Sequence, residues 1–294
     1  MNDSNNNNEA QKDNNEKKQQ VRFISQDYIL PFRPFELNHQ YAVTYTIEKG
    51  DTIQVLEQNF SIRRLRPDTS QSDYHFIQID KISDLLINGE PVDKRAYTVA
   101  EKTAALLYPL RVVVNEYGKW IDISSYHKLK DRWEKQREDI REMFSGKTFD
   151  LITKNIENAI NDNAVLVKLL SGNWFLRAYF NGIHRAYTRS FERERKLFFP
   201  AIAGAEELEF SIVQKVNPYL NDDNLIEVTQ TGETENENLE EQYFAQYCLN
   251  PNNYLIENLI LECNLVDMNR RINVQVRNLN ESPIIMDSGI SVLV

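Results

Sequence analysis

The residue types that could do chemistry crowd into two stretches of this chain. Residues 115–133 (NEYGKWIDISSYHKLKDRW) hold two Trp, two Tyr and a His among dense charge. Residues 172–196 (GNWFLRAYFNGIHRAYTRSFERERK) hold Trp174, Tyr179 and His184, together with Arg177, Arg185, Arg189, Arg193, Arg195 and Lys196. Aromatic rings beside an imidazole can wall a ligand pocket, and an exposed imidazole titrates near neutrality. Tyr126, His127, Trp133, Trp174 and His184 are therefore the ligand-pocket candidates. Arg185, Arg189 and Arg193 are candidates for binding an acidic partner or the acidic residues 222–241, of the same chain or of another copy, which carry many carboxylates and no Lys or Arg. Both stretches also have a packing explanation, which we prefer. The first reads as the joint between a strand and a helix, the second as a buried aromatic helix followed by a solvated edge strand.

Catalytic and metal patterns are missing. His39, His75, His127 and His184 are scattered, with no HxH, HExxH or CxxC, so no metal site is assigned. There is no GxSxG elbow, SxxK, Walker loop or GxGxxG, and hence no catalytic residue and no cofactor. If Leu249 faces Tyr254 across the NPNN turn, Cys248 faces Leu255 and lies far from Cys263, so both read as core thiols. The balance leans away from an enzyme.

The 294 residues can bury a sizeable core, and the formal net charge of −10 argues against nucleic acid as partner. No run of about eighteen apolar residues is present to span a membrane, and the N-terminus lacks the apolar stretch of a secretory signal. The expectation is a soluble, cytoplasmic protein of bacterial composition.

The elements that must position these residues follow from periodicity. Residues 1–20 are polar and low in complexity, predicting disorder. Tyr41, Val43, Tyr45 and Ile47 alternate with smaller or polar residues, and Gly50-Asp51 suits a two-residue hairpin. That turn sets Tyr45 opposite Leu56, Tyr41 opposite Phe60, Val43 opposite Gln58 and Ile47 opposite Gln54. DYHFIQID is a third strand, and Asn88-Gly89 marks a turn. Thr98 with Glu101 forms a capping box for a helix that Pro109 stops. RVVVN and KWIDI pair around Gly118. Tyr126, Leu129, Trp133, Ile140 and Phe144 make one helical stripe; Phe149, Ile152, Ile156 and Ile160 make another. Strands return after Pro200, and the apolar end of the chain, including Val292, Leu293 and Val294, reads as a tied-down strand or a partner-binding tail.

The resulting fold class is α+β, with N- and C-terminal antiparallel β-rich lobes, or one split sheet, flanking a central helical block. The divisions are a tail at 1–20, an N-terminal lobe at 21–123, the helical block at 124–197, a C-terminal lobe at 198–280 and an apolar tail at 281–294. The functional expectation is a non-catalytic binding or assembly protein of adaptor or chaperone-like type, acting through protein–protein contacts or self-association. The alternative is an enzyme or small-molecule binder with a pocket between the helical block and a sheet.

Overall fold

A computed structural model describes residues 19–23, 28–66, 73–91, 104–124, 126–143, 147–201, 207–234 and 241–280. The predicted capping box of Thr98 and Glu101, residue Phe144, the side chains of Phe149 and Ile152, and both chain ends lie outside the described residues. In chain order come β1 (Asn38–Lys49), β2 (Thr52–Leu65), β3 (His75–Lys81), the short β4 (Leu86–Ile87) and β5 (Glu90–Pro91), then β6 (Leu110–Val114) and β7 (Trp120–Ile123). Four helices follow: α1 (His127–Met143), α2 (Lys147–Asn161), α3 (Asn163–Ser171) and α4 (Trp174–Tyr179). The chain then makes β8 (Glu192–Phe199), β9 (Leu208–Val216), β10 (Ile226–Thr234), β11 (Gln242–Leu249), β12 (Ile256–Leu265) and β13 (Arg270–Asn278).

The expectation of two β lobes around a helical block is overturned. All thirteen strands among the described residues belong to one antiparallel sheet, ordered β7-β6-β3-β2-β1-β13-β12-β11-β10-β9-β8, with β4 paired to β2 and β5 to β4. The helices are an insertion between its two edge strands. The pairing that unites the halves is β1 with β13, from Tyr41 opposite Asn278 to Lys49 opposite Arg270. Nothing local announces a contact between segments so far apart. It is nonetheless affordable, because loop-closure entropy grows only with the logarithm of loop length.

Local chemistry does set the hairpins. The β1–β2 register has Tyr45 opposite Leu56, Tyr41 opposite Phe60, Val43 opposite Gln58 and Ile47 opposite Gln54, as the alternation predicts. Gln58 faces inward, and its Nε2 donates to the Ser83 carbonyl at 3.3 Å, so the amide is accommodated among apolar neighbours. Asn88 and Gly89 both have positive φ at the β4–β5 turn, as such two-residue turns require. The β11–β12 pairing departs from the expected one: Leu249 faces Ile256 and Cys248 faces Asn258, with an irregularity between them. Both cysteines are free thiols. Residues 222–241, beyond being acidic, contain β10, whose Ile226, Val228 and Gln230 are buried.

The inner face of the sheet wraps α4. This helix is apolar nearly all round and buries Phe175, Leu176, Ala178 and Tyr179. Phe175 stacks on Phe60 of β2 at 4.7 Å between ring centroids. The Tyr179 hydroxyl donates to Tyr41 Oη at 3.0 Å, and Tyr41 in turn donates to the Ile256 carbonyl at 3.0 Å. From β11, Tyr247 Oη donates to the Ala178 carbonyl at 3.0 Å. Side-chain caps fix where the helices begin: Asp162 accepts from the amides of Ala164 and Val165 at the start of α3, and Asn173 from Leu176 at the start of α4. Outside the main core, Trp133 and Ile140 of α1 pack with Ile160 of α2 and with Leu106. No helix among the described residues is long and apolar enough to cross a membrane.

The joint between β7 and α1 needs one correction. Simple alternation places Trp120 on the face opposite Ile123. A bulge between Val113 and Val114 instead sets Trp120 opposite Val114 and Ile123 opposite Val112, so both are buried and Ile121 is exposed.

Truncating the plug should show how much of the fold depends on it. Phe175→Ala is expected to cost about 3–5 kcal/mol in urea unfolding, the range for an aromatic removed from a packed core. A loss near that of a surface substitution would mean that α4 is not the centre of the core.

Candidate functional site

The two edge strands of the sheet come together on the segment that follows α4. Lys119, just before β7, forms an antiparallel bridge with Asn181. The Trp120 amide donates to the Phe180 carbonyl at 3.4 Å. From the opposite edge, Arg195 of β8 donates through Nη1 to the Asn181 carbonyl at 3.1 Å and through Nη2 to Asn181 Oδ1 at 2.9 Å. One asparagine therefore ties β7 to β8. Gly182 suits this close approach: its φ is +71°, and an added Cβ would sit 3.0 Å from Lys119 Cβ.

Asn181 is also anchored from within. Its Nδ2 lies 2.9 Å from Gln230 Oε1, 3.1 Å from Tyr243 Oη and 2.8 Å from Tyr247 Oη. Gln230 Nε2 donates to Gln214 Oε1 at 2.8 Å, and Gln214 Nε2 donates to the Ile183 carbonyl at 3.0 Å and to Tyr187 Oη. These side chains are all buried. A polar network in an apolar interior is worth having only when its members are satisfied, and here most of them are.

Between the edges lies a slot of about 160 Å³, lined by Lys119, Arg177, Arg195, Lys196, Phe198 and Glu207 among others. On the liquid volume of water this is room for about five water molecules, or for one tetrahedral oxyanion. Its charge is unbalanced. Arg177 Nη2 pairs with Glu207 Oε2 at 3.1 Å and also donates to the Phe198 carbonyl. The Arg185 guanidinium lies 4.7 Å from the Tyr117 ring centroid, and its Nε donates to the Gly182 carbonyl at 2.8 Å. Arg195 Nε is buried without a partner among the described residues.

Titration reflects this crowding. Burial, and then the guanidiniums of Arg177, Arg185 and Arg195, push the Lys119 ammonium below its ordinary value, while Glu207 pulls it back. Burial likewise lowers Arg195 and Arg185. An anion placed here would relieve repulsion among four cations in a partly desolvated setting, where charge interactions are stronger than in water.

The five pocket candidates lie elsewhere, and none of them lines the slot. His184 is buried in the core, with its ring against Phe32 at 5.0 Å between centroids. Burial pushes its pKa down to about 3, so it stays neutral at physiological pH. Trp174 donates from Nε1 to the Pro200 carbonyl at 2.7 Å and packs near Tyr45. Tyr126 Oη donates to the Ile160 carbonyl, and Trp133 is buried in the helical cluster. His127 is exposed in the first turn of α1. Of the partner-binding candidates, Arg185 adds to the positive charge around Lys119 but does not line the slot, and Arg193 donates to the Ala186 carbonyl at 3.3 Å. Arg189 is exposed. Val292, Leu293 and Val294 lie outside the described residues.

Sequence reasoning singled out the basic region that supplies Arg177 and Arg195 but missed Lys119 and Asn181. The one signal for Asn181 is an amide at the end of a helix that is otherwise apolar. Lys119 carries no local signal, because only sheet curvature brings it opposite β8. Among the described residues no three His, Cys, Asp or Glu side chains gather in a metal-binding group.

No family model matches the sequence, nor does any curated protein. Among solved structures, one described as "Lipid-protein interactions in lipovitellin" is similar over 82% of this chain and 25% of its own, at 12% identity and a TM-score of 0.45. This chain thus spans about a quarter of that structure. A DUF1329 family protein from Desulfovibrio piger is similar over 86% of this chain and 88% of its own, at 8% identity and a TM-score of 0.27. Both likenesses are too distant to bear on what this chain binds.

Two outcomes follow from the latch and its neighbours. Asn181→Leu, close in size but without the amide, should destabilise by about 3 kcal/mol or more in urea, because it strands buried partners and a buried cation. A change within about 0.5 kcal/mol, typical of an indifferent surface site, would refute the latch. His184 has a folded pKa below its unfolded value of 6.5, so the unfolded chain binds the extra proton as pH falls from 6.5 towards 3. Stability should be full above 6.5 and decline through that window. The decline should be shallower in His184→Gln, measured by urea midpoints across pH.

Proposed function

We propose that this chain is a non-catalytic binding protein whose ligand presents a single oxyanion, a phosphate or a carboxylate, to the slot between β7 and β8. The observation that carries this reading is the convergence of Lys119, Arg177, Arg195 and Lys196 on one small gap, with Glu207 the one carboxylate among its described lining residues. Cations gathered in a narrow cleft focus positive potential and raise the local anion concentration, even on a protein of net negative charge. Exposed Arg189 and Arg193 extend this field towards the surface of a partner.

A binding role is also favoured over catalysis by the state of the reactive groups. His184 is held neutral by burial and cannot shuttle a proton near pH 7. Burial raises the Cys248 thiol to about 11 and the Cys263 thiol to about 12, keeping both out of the nucleophilic thiolate form.

Isothermal titration with inorganic phosphate at constant ionic strength tests the proposal. Lys119→Glu should weaken phosphate binding at least tenfold, about 1.4 kcal/mol, whereas Lys154→Glu on the exposed face of α2 should leave it unchanged. No heat of binding to the unaltered protein, or equal binding by the Lys119 variant, would overturn the reading.

A further inference from the structure

A second, larger cleft lies between α1 and the β6–β7 hairpin. Its volume is about 360 Å³, and it is lined by Pro109, Leu110, Arg111, Ile123, Leu129 and a row of α1 residues. On α1, Lys128, Arg132 and Lys135 are spaced by four and three residues and so share one face, opposite Arg111 on β6. Asp131 is the one carboxylate among the described lining residues. The floor is apolar and the rim is basic.

Two of these cations are fixed in different ways. Arg132 is consumed by carbonyls: it donates to Tyr108 and Pro109, and through Nε to Lys128. Its guanidinium therefore closes one end of the cleft. Arg111 is oriented but not consumed. Its Nε donates to Gln78 Oε1 at 3.2 Å, and the buried Gln78 is itself held by Asp80, donating from Nε2 to Oδ2 at 2.8 Å. The two terminal nitrogens of Arg111 have no partner among the described residues. A guanidinium fork fixed by a buried amide, with both outer nitrogens unspent, matches the geometry of a carboxylate.

We propose that this cleft binds a small organic carboxylate with an apolar body. The carboxylate seats on Arg111 with Lys128 and Lys135 closing over it, and the body lies against Leu110, Ile123 and Leu129. The site differs from the edge slot in both size and chemistry: the slot has room for one oxyanion, and the cleft has room for an attached chain of several carbons.

Octanoate is the probe, with acetate lacking the body and octanol lacking the charge. Binding is read by ligand-observed NMR and titration calorimetry on the full chain. Octanoate should bind at least tenfold more tightly than either acetate or octanol. Lys128→Glu with Lys135→Glu, both on the exposed face of α1, should weaken octanoate at least tenfold without altering the far-ultraviolet circular dichroism. Arg111→Gln should do the same to octanoate and leave octanol unchanged. Octanoate binding that is unaffected by the double lysine variant, or no tighter than acetate, would overturn the proposal. Lys119→Glu should leave octanoate binding intact, so that failure of the edge slot and failure of this cleft are read separately.

Discussion

The structure hangs on what Asn181 does for a sheet with two loose ends. An antiparallel sheet of this breadth curls under its own twist, yet β7 and β8 would remain exposed edges open to unwanted pairing. Asn181 meets β7 through its backbone and β8 through Arg195, while its amide reaches Gln230, Tyr243 and Tyr247. Hydrogen bonds to a charged group are worth about 1.5–3 kcal/mol each, and losing one partner leaves the others desolvated without compensation. One residue thus closes the curl and sets the position of α4.

The same closure creates the slot. Arg195 must reach inward to hold Asn181, Lys119 must pair beside it, and Arg177 rides on the plug helix. Each is placed by the architecture, and together they gather positive charge that the protein as a whole does not have. Burial lowers both Lys119 and Arg195, and the guanidiniums of Arg177, Arg185 and Arg195 lower Lys119 further. A protein carrying a formal charge of −10 can therefore hold a local site for anions. Net charge bears on solubility and long-range encounter, not on what a single cleft recognises.

Much of the local architecture was legible in the residues. Alternation of Tyr41, Val43 and Tyr45 with a two-residue turn at Gly50-Asp51 yielded a register that matches the structure, because side-chain period and turn length together fix which residues face each other. The apolar character of 174–180 correctly implied burial. Reasoning failed where an irregularity intervened. The bulge at Val113/Val114 turned Trp120 inward, and the irregularity at Cys248/Leu249 shifted the predicted β11–β12 pairing. An extra residue in a strand reverses every facing beyond it, and no composition signals it. His184 misled for a related reason: an imidazole looks the same in sequence whether it meets water or Phe32.

By itself the sequence determined the first hairpins, the helical stripes and the basic stretch around Arg195, since each rests on residues within a few positions of one another. Only the tertiary structure decided that the first and last strands pair, that the sheet is one rather than two, and that Lys119 stands beside Arg195. Those facts come from contacts between distant segments, where the selecting force is the burial of a shared apolar face around α4. Such burial is non-directional and leaves no local pattern to read.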